Sequence, residues 1–252
     1  IVKNENGEYG RSSIKTYGDT IHSFIYDANY SGLWAPGFAP LVLPAVQNQD
    51  TELVTIDHIV GNVEKGEMDE WREFYEKVFG FTTFVHFDET DISTQYSALK
   101  SIVMRSKNWK VKMPINEPAQ GIKKSQIEEY LDFNEGAGVQ HVAILTDDII
   151  KSITALRTNG VDFLDVPDTY YDNLENRVGK IDEDMDMLKQ LKILVDRDEE
   201  GYLLQLFTKP LEDRPTLFIE IIQRKGSRGF GQGNFQALFE SIEFEQKLRG
   251  NL

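Results

Sequence analysis

Three ionisable side chains interrupt apolar, strand-like runs of the sequence. They are His58 in residues 54–60, His141 in residues 138–144 and Glu220 in residues 217–223. Burying an unpaired imidazole or carboxylate is costly, so each of these groups needs a partner. Two histidines and one carboxylate form the ligand set of non-haem Fe(II) oxygenases, which keep coordination positions open for O2 and substrate. The sequence therefore predicts that three distant segments share one metal ion.

Each candidate ligand also has an interpretation that involves no metal. A single strand histidine can be a hydrogen-bonded core residue, and Glu220 can form a buried ion pair with Arg224 or a lysine. The metal interpretation is favoured because His58 and His141 hold matching places in two repeats of the chain. A structural zinc ion requires four closed ligands, whereas three ligands leave room for chemistry. The set therefore favours a catalytic metal site.

Strand alternation predicts which side chains accompany these ligands. It puts His58 on one face together with Ile56 and Val60. Further along the chain, Gln205 shares a face with Phe207 in an otherwise apolar run. A buried amide needs a hydrogen-bond partner. Gln205 is therefore a candidate to contact the substrate or the metal ligands.

One pattern, a strand followed by a helix and further strands, occurs twice with a period of roughly 80 residues. The first copy has the strand of His58, a helix at about 67–79 and strands near 81–87, 95–104 and 109–115, ended by Pro114 and Pro118. The second copy has the strand of His141, a helix at about 148–158 capped by Asp147, an insert at 165–190 and strands near 192–196, 202–208 and 216–223. Equivalent first strands allow both histidines to face a common centre.

The segments outside the repeats suggest how the chain divides. Residues 14–26 predict a hairpin, which is marginal in isolation, so we expect more protein before residue 1. We predict that residues 1–50 are the remnant of an N-terminal domain plus a connector. Residues 51–252 are predicted to be a catalytic iron-binding domain, with modules at about 53–116 and 138–223 and a final helix at about 234–248.

The composition narrows the class of protein. The 252 residues carry a net charge of −15, which repels phosphate backbones, so we expect no nucleic-acid partner. The absence of cysteine excludes disulfides, cysteine ligands and a cysteine nucleophile, and it fits a reducing cytoplasm. No apolar run approaches the length of a membrane span. We therefore expect a cytoplasmic protein with no membrane partner.

Several longer stretches resemble the 4-hydroxyphenylpyruvate dioxygenase family. They are residues 16–22 (TYGDTIH), 57–63 (DHIVGNV), 114–118 (PINEP), 124–127 (KSQI), 134–141 (NEGAGVQH), 203–210 (LLQLFTKP), 218–224 (FIEIIQR) and 231–235 (GQGNF). The resemblance runs from about residue 14 to about residue 245. It implies an α+β vicinal-oxygen-chelate fold, in which paired βαβββ modules form a half-open barrel around the metal and a C-terminal helix lies over the pocket.

The resemblance also implies which residues act. It implies one Fe(II) per chain on His58, His141 and Glu220, with O2 as co-substrate, an aromatic α-keto acid as substrate, and a homo-oligomer that is a dimer or a tetramer. The implied substrate-binding residues are Ser101, Asn116, Gln126, Gln140, Gln205, Phe207, Phe218, Phe230, Asn234 and Phe235. The implied catalytic residues are Gln126, Gln205 and Asn234. Gln140 is unexpected in this set, because strict alternation points it away from His141.

The activity implied by the resemblance converts 4-hydroxyphenylpyruvate and O2 into homogentisate and CO2, a step of tyrosine catabolism. Two alternatives stay open. A 4-hydroxymandelate synthase uses the same ligands and substrate but oxidises the side chain, and residues 114–116 favour the ring-hydroxylating type. A non-catalytic small-molecule-binding module of the same fold needs no metal, so the intact ligand triad argues against it.

Overall fold

A computed structural model gives the structure of this chain and describes residues 1–27, 29–41, 50–88 and 98–250. Its contacts divide the chain into two compact units, Ile1–Asn48 and Gln49–Leu252. The described part of the first unit is a three-stranded antiparallel sheet of β1 (Val2–Asn4), β2 (Gly7–Lys15) and β3 (Ile21–Tyr26). The predicted hairpin over 14–26 is confirmed by the pairing of β2 with β3, and β1 extends it.

The described part of the second unit is built on one eight-stranded mixed sheet. Its strands are β4 (Leu53–Asn62), β5 (Thr82–Phe87), β6 (Leu99–Arg105), β7 (Lys112–Pro118), β8 (Gly138–Thr146), β9 (Leu194–Arg197), β10 (Tyr202–Phe207) and β11 (Phe218–Lys225). Their order, β5-β6-β7-β4-β8-β11-β10-β9, places one module on each side of the antiparallel seam between β4 and β8. Each module's first strand runs parallel to its last. The expected paired βαβββ arrangement is therefore confirmed.

Six α-helices lie in the described part of this unit. They are α1 (Met68–Phe79), α2 (Gln126–Asn134), α3 (Ile149–Thr158), α4 (Leu174–Val178), α5 (Met185–Leu191) and α6 (Phe235–Arg249). Ser125 and Glu128 form a capping box at the start of α2. The start of α3 is capped by Asp148 rather than by the predicted Asp147. None of the described helices has the length and hydrophobicity needed to cross a bilayer.

The predicted insert between α3 and β9 folds into short helices. A 3-10 helix at Asp168–Tyr171 precedes α4 and α5. The buried apolar residues of α4 and α5 join one core with those of α3 and the sheet; they are Leu174, Val178, Leu188, Leu191, Ile149, Ile153, Ile193 and Val195. This packing fixes the insert on the second module, where Tyr170 and Tyr171 lie partly buried.

Strand β4 does not alternate strictly, which corrects the predicted faces around His58. Its pairing with β8 shifts register between Ile56 and His58. Asp57 and His58 are therefore both buried, whereas Ile56 is 55% exposed although alternation put it beside His58. A bulge inserts one extra residue and redirects the side chains that follow it. Hydrophobic periodicity alone does not locate such a bulge.

Strand β7 also differs from the prediction, because it contains both prolines that were expected to end the first module. Pro114 lies opposite Val103 of β6, while the ladder between β7 and β4 uses Ile115 and Asn116. Proline lacks an N–H donor, so it is tolerated where a strand is not paired fully on both sides. Of the strand predicted near 95–104, residues 95–97 lie outside the described residues, and β6 begins at Leu99.

Candidate metal centre and its cavity

His58, His141 and Glu220 converge because their strands, β4, β8 and β11, are neighbours in the sheet. The Nε2 atoms of His58 and of His141 each lie 3.2 Å from Oε2 of Glu220. One ligand atom from each residue lies within 4.8 Å of the others, and all three residues are buried. In the part of the chain that the structure describes, no other group of His, Asp and Glu side chains meets this condition.

Hydrogen bonds behind the two imidazole rings set their tautomers. Nδ1 of His58 lies 2.7 Å from Oδ1 of Asp57, and Nδ1 of His141 lies 2.9 Å from Oε1 of Gln140. Both oxygens accept hydrogen bonds, so each Nδ1 carries a proton and each Nε2 is free to bind a cation. Metal-binding histidines usually have such a partner. Gln140 thus contacts the side chain of His141, although strict alternation points it away.

Asp57 is a functional candidate that our sequence reasoning missed. Arg224 donates to both of its carboxylate oxygens, at 2.8 Å to Oδ1 and 2.9 Å to Oδ2, and Lys112 donates to Oδ2 at 3.1 Å. The ion pair that we considered between Arg224 and Glu220 is therefore replaced by one with Asp57. A signal was available in the sequence, because Asp57 is a second ionisable residue in the apolar run of His58.

The surroundings keep the carboxyl groups of Glu220 and Asp57 charged. Burial alone would raise the pKa of Glu220, but the neighbouring His58 and His141 outweigh it and lower that pKa to about 2. Burial would also raise the pKa of Asp57, yet hydrogen bonds from His58 and Arg224 and the charge of Arg224 hold it well below its ordinary value. Glu220 therefore presents a negative charge to the two imidazole nitrogens at neutral pH.

The candidate ligands lie at one wall of a cavity with an empty volume of about 620 Å³, which includes its open mouth. Its aromatic lining consists of Phe87, Phe207, Phe218, Phe230, Phe235 and Phe239. Its polar lining, apart from the ligands, consists of Ser101, Asn116, Gln126, Gln140 and Gln205. Nine of the ten predicted substrate-binding residues thus line the cavity, and Asn234 is the exception. The structure brings them together, and their roles stay predictions.

Two buried amides connect this cavity to the start of α6. Gln205 donates from Nε2 to Oε1 of Glu220 at 3.3 Å, and Asn234 donates from Nδ2 to Oε1 of Gln205 at 3.1 Å. Gln205 is 4% exposed and Asn234 is 1% exposed, so neither amide exchanges these partners freely with water. The amide of Gln205 therefore has the partner that its burial requires, and the partner is a candidate metal ligand.

The glycine-rich turn before α6 allows a close approach to these amides. Gly231 has a φ of 74°, and a Cβ there would lie 2.0 Å from Oε1 of Gln205. At Gly233 a Cβ would lie 2.3 Å from Oδ1 of Asp196. A side chain at either position would therefore displace a neighbouring polar group, and the positive φ of Gly231 is a conformation that glycine adopts without strain.

A model of the Glyoxalase/Bleomycin resistance protein/Dioxygenase superfamily matches residues 55–206 of this chain. A 4-hydroxyphenylpyruvate dioxygenase from Aspergillus fumigatus is 53% identical over 264 residues, which cover 100% of this chain and 64% of that protein. One from Neurospora crassa is 54% identical over 255 residues, which cover 98% of this chain and 62% of that protein. The chain thus spans less than two thirds of the length of these relatives.

A solved structure is also similar. A mutant of 4-hydroxymandelate synthase from Streptomyces coelicolor matches with a TM-score of 0.75 and 33% sequence identity. The match covers 93% of this chain and 67% of that chain. The likeness therefore extends over most of this chain.

Proposed function

Because this chain belongs to the Glyoxalase/Bleomycin resistance protein/Dioxygenase superfamily, we propose that it is the metal-binding part of a 4-hydroxyphenylpyruvate dioxygenase. The proposed reaction consumes 4-hydroxyphenylpyruvate and O2 and yields homogentisate and CO2. The observation that carries the proposal is the meeting of His58, His141 and Glu220, with ligand atoms within 4.8 Å of one another, at the wall of an aromatic cavity.

The donor set fits a divalent metal ion. The two Nε2 atoms and Oε2 of Glu220 are acceptors that face one another at 3.2 Å, which is unfavourable unless a cation or a proton lies between them. We propose Fe(II) as that cation, held by Nε2 of His58, Nε2 of His141 and Oε2 of Glu220. Two histidines and one carboxylate form the ligand set of non-haem Fe(II) oxygenases. Asp57 and Gln140 would keep the rings oriented from behind.

When bound, Fe(II) supplies chelation of the α-keto acid and activation of O2, so that decarboxylation is coupled to ring hydroxylation. The substrate provides all four electrons that reduce O2. The chain itself contributes positioning. Phe218 stacks against His141 with ring centroids 4.9 Å apart, and Phe207 meets the ring of Phe218 edge-on at 6.1 Å. An aromatic substrate ring fits against such walls, next to the metal ligands.

Polar side chains of the cavity would orient the substrate. Asn116 donates to Oδ1 of Asn62 at 3.3 Å, which fixes its amide with one oxygen left to accept from a phenol. Gln126 is 9% exposed and lines the same cavity, so it can contact a bound substrate. Helix α6 contributes Phe235, Leu238 and Phe239 to the lining, and it would exclude water from the reacting atoms.

The two alternatives are less well supported. The dioxygenase relatives are 53% and 54% identical to this chain, whereas the 4-hydroxymandelate synthase structure is 33% identical. A binding module without chemistry would not need the three buried ligands, whose burial is costly without a metal. As further parts of the proposal, we expect the protein in the cytoplasm, since the chain is free of cysteine, and we expect a homo-oligomer, as the resemblance implies.

Product analysis tests the proposed function. The protein is loaded with Fe(II) under anaerobic conditions and then given 4-hydroxyphenylpyruvate and O2. We expect homogentisate as the main product, with one CO2 released per O2 consumed. Homogentisate and 4-hydroxymandelate are isomers of equal mass, so proton NMR or chromatography against standards must separate them. Formation of 4-hydroxymandelate would favour the synthase, and binding of the keto acid without turnover would favour the binding module.

A further inference from the structure

The start of α6 is tied to the insert of the second module by a group of hydrogen bonds that the proposed reaction does not use. Tyr170 lies in the 3-10 helix of the insert, and Arg177 lies in α4. The hydroxyl of Tyr170 lies 2.7 Å from Oδ1 of Asn234. Arg177 donates from Nη1 to the carbonyl of Gly233 at 3.0 Å. The insert therefore contacts the two residues that immediately precede α6.

The hydroxyl oxygen of Tyr170 cannot accept a hydrogen bond from Asn234. It already accepts from Nη2 of Arg177 at 2.6 Å and from the backbone N–H of Val195 at 2.8 Å. A phenolic oxygen has two lone pairs, so these two donors occupy both of them. The carbonyl of Val195 lies within 2.9 Å of the hydroxyl, but it also accepts from Arg177 at 3.0 Å. Oδ1 of Asn234 lies nearer to the hydroxyl than the carbonyl of Val195 does, at 2.7 Å against 2.9 Å, so this geometry favours Asn234 as the acceptor of the proton of Tyr170.

This arrangement fixes the orientation of the amide of Asn234. If Nδ2 faced Tyr170, a donor would meet an oxygen with no lone pair left to accept, which is unfavourable in a buried site. Oδ1 must therefore face Tyr170, and Nδ2 must face Gln205, as the 3.1 Å contact shows. The same logic then applies to Gln205, which receives this bond on Oε1 and presents Nε2 to Glu220.

We propose that Tyr170 and Arg177 are positioning residues that set the direction of a chain of hydrogen bonds ending on the metal ligand Glu220. Every bond in the chain, Tyr170 to Asn234 to Gln205 to Glu220, donates toward the carboxylate. Glu220 receives this donor on Oε1, while Oε2 faces the two histidines. This series of hydrogen bonds thus holds Oε1 of Glu220 in place and leaves Oε2 for the metal.

Under this proposal the insert at residues 165–190 helps to position the candidate ligand Glu220. Among the described residues, none of the insert lines the cavity. Without the hydroxyl of Tyr170, the amide of Asn234 can turn over at little cost. Gln205 could then turn as well and place its carbonyl against the carboxylate of Glu220. Such a reversal puts two acceptors together in a buried site, which weakens the hold on the ligand. This inference rests on the proposed metal centre.

The chain offers a closely matched control. Tyr171 is the next residue, its ring meets that of Tyr170 edge-on at 4.9 Å, and its hydroxyl donates to the carbonyl of Ile193 at 3.1 Å. Both tyrosines pack against the same two buried clusters. Tyr170→Phe and Tyr171→Phe therefore each remove one buried hydroxyl, but only the first removes a contact to Asn234.

Metal affinity provides the first readout, with Co²⁺ alone as the probe. We expect Tyr170→Phe to weaken Co²⁺ binding by about 3- to 10-fold and to change the visible absorption of bound Co²⁺, since loss of a direct partner of a ligand commonly costs about 10- to 100-fold and Tyr170 acts through two amides. Tyr171→Phe should bind Co²⁺ as the unmodified protein does. Asn234→Asp keeps the shape but offers only acceptors, so it should weaken Co²⁺ binding as well. Equal affinities in all of these proteins would overturn the proposal.

Amide NMR of the metal-free protein provides the second readout. In the unmodified protein and in Tyr171→Phe, the side-chain amides of Asn234 and Gln205 should each give one pair of resonances. In Tyr170→Phe we expect a second set or exchange broadening, because the amides can turn over. Unchanged amide signals in that variant would contradict the proposal whatever the metal result. If the unmodified protein binds no Co²⁺, the proposed function fails. The amide signals would still show whether Tyr170 sets the direction of the hydrogen bonds from Asn234 to Glu220.

Discussion

At the scale of single residues, the site separates the side chains that would hold the metal from those that orient them. His58, His141 and Glu220 supply the ligand atoms, while Asp57, Gln140 and Gln205 each bond to one of them from behind. The two histidines have unlike partners, a carboxylate in the first module and an amide in the second. The carboxylate of Asp57 is itself neutralised by Arg224 and Lys112. The two modules thus place their Nε2 atoms at the same distance from Glu220, although different groups hydrogen-bond to Nδ1 of the two rings.

The first prediction concerns Glu220. Glu220→Ala should abolish turnover and weaken iron binding, because it removes the only carboxylate among the three candidate ligands, and the fold should stay mostly intact. Iron content and product formation measure these effects. The matched control is Glu117→Ala, which removes a buried carboxylate that accepts from the backbone of Gly66 and Met68. The control should cost about 1–3 kcal/mol of stability but keep iron binding. Full activity of Glu220→Ala would refute the ligand assignment.

The second prediction concerns Gln205. Gln205→Leu should reduce turnover strongly with a modest loss of stability, since leucine has a similar size and only Nδ2 of Asn234 and Oε1 of Glu220 lose a partner. Turnover under saturating substrate and the thermal midpoint of unfolding are compared for the same preparation. A variant that unfolds while the folded fraction retains full turnover would show that Gln205 is a structural residue.

At the scale of elements, the turn between β11 and α6 is held more firmly than its glycine content suggests. Asp198 accepts from the backbone N–H groups of Arg228 and Gly229 at 3.0 Å and 2.8 Å, and from the hydroxyl of Ser227 at 2.5 Å. On the other side Arg224 donates to the carbonyl of Gly229 at 2.7 Å. Because Arg224 also pairs with Asp57, the turn is connected to the residue that hydrogen-bonds to Nδ1 of His58.

The third prediction concerns pH and this turn. Burial would raise the pKa of Asp198, but the hydrogen bonds from Ser227 and the backbone outweigh it and lower that pKa. A lowered pKa in the folded state stabilises the fold above the unfolded pKa of about 3.9, and this stabilisation is lost as the pH falls through the folded value. Asp198→Asn should therefore destabilise the protein at about pH 6, with a smaller difference at about pH 2.5, which lies below the unfolded pKa. Urea unfolding measures both, and a constant difference would contradict the assignment.

The fourth prediction concerns α6, whose residues Phe235, Leu238 and Phe239 close one side of the cavity. We hypothesise that this helix is a gate that shields the metal centre from water and opens for product release. Deleting residues 234–252 should leave iron binding measurable, because all three candidate ligands lie on strands, but O2 consumption should exceed homogentisate formation. An oxygen electrode and product analysis give the two rates. Tightly matched rates after the deletion would mean that α6 only packs.

At the scale of the whole molecule, the candidate centre lies across the seam between two modules. His58 comes from the first module, whereas His141 and Glu220 come from the second, and β4 pairs with β8 in between. A ligand that binds only the folded state stabilises it according to its concentration and affinity. A metal ion held by all three residues would therefore link the stability of one module to that of the other.

The fifth prediction follows from this linkage. Adding metal at about 100 times its dissociation constant should stabilise the protein by about 2.7 kcal/mol, and a chelator should reverse the effect. His141→Ala should remove the metal-dependent increment. His86→Ala is the control, since His86 is an exposed residue of β5 outside the ligand group. Thermal unfolding with and without metal provides the measurement, and an increment that survives His141→Ala would contradict the shared site.

The sequence by itself determined the repeat, the order of strands and helices along the chain, and the three candidate ligands. Periodicity and capping residues are local signals, so α1, α3 and α6 were predicted close to their observed ends. The ligands were recognisable because a lone ionisable residue in an apolar run is costly to bury. Matching positions in two repeats then indicated that the two histidines meet. The resemblance added the residues that the structure places around the cavity.

Only the tertiary structure decided the contacts that depend on register and on distant segments. The bulge in β4 buries Asp57 and exposes Ile56, and neither follows from the alternation of apolar residues. The pairing of Asp57 with Arg224 joins residues 167 positions apart. The link from Tyr170 to Asn234 likewise depends on how the insert packs against β9. Local sequence fixes which elements form, whereas the orientation of one amide depends on every donor and acceptor that packing brings to it.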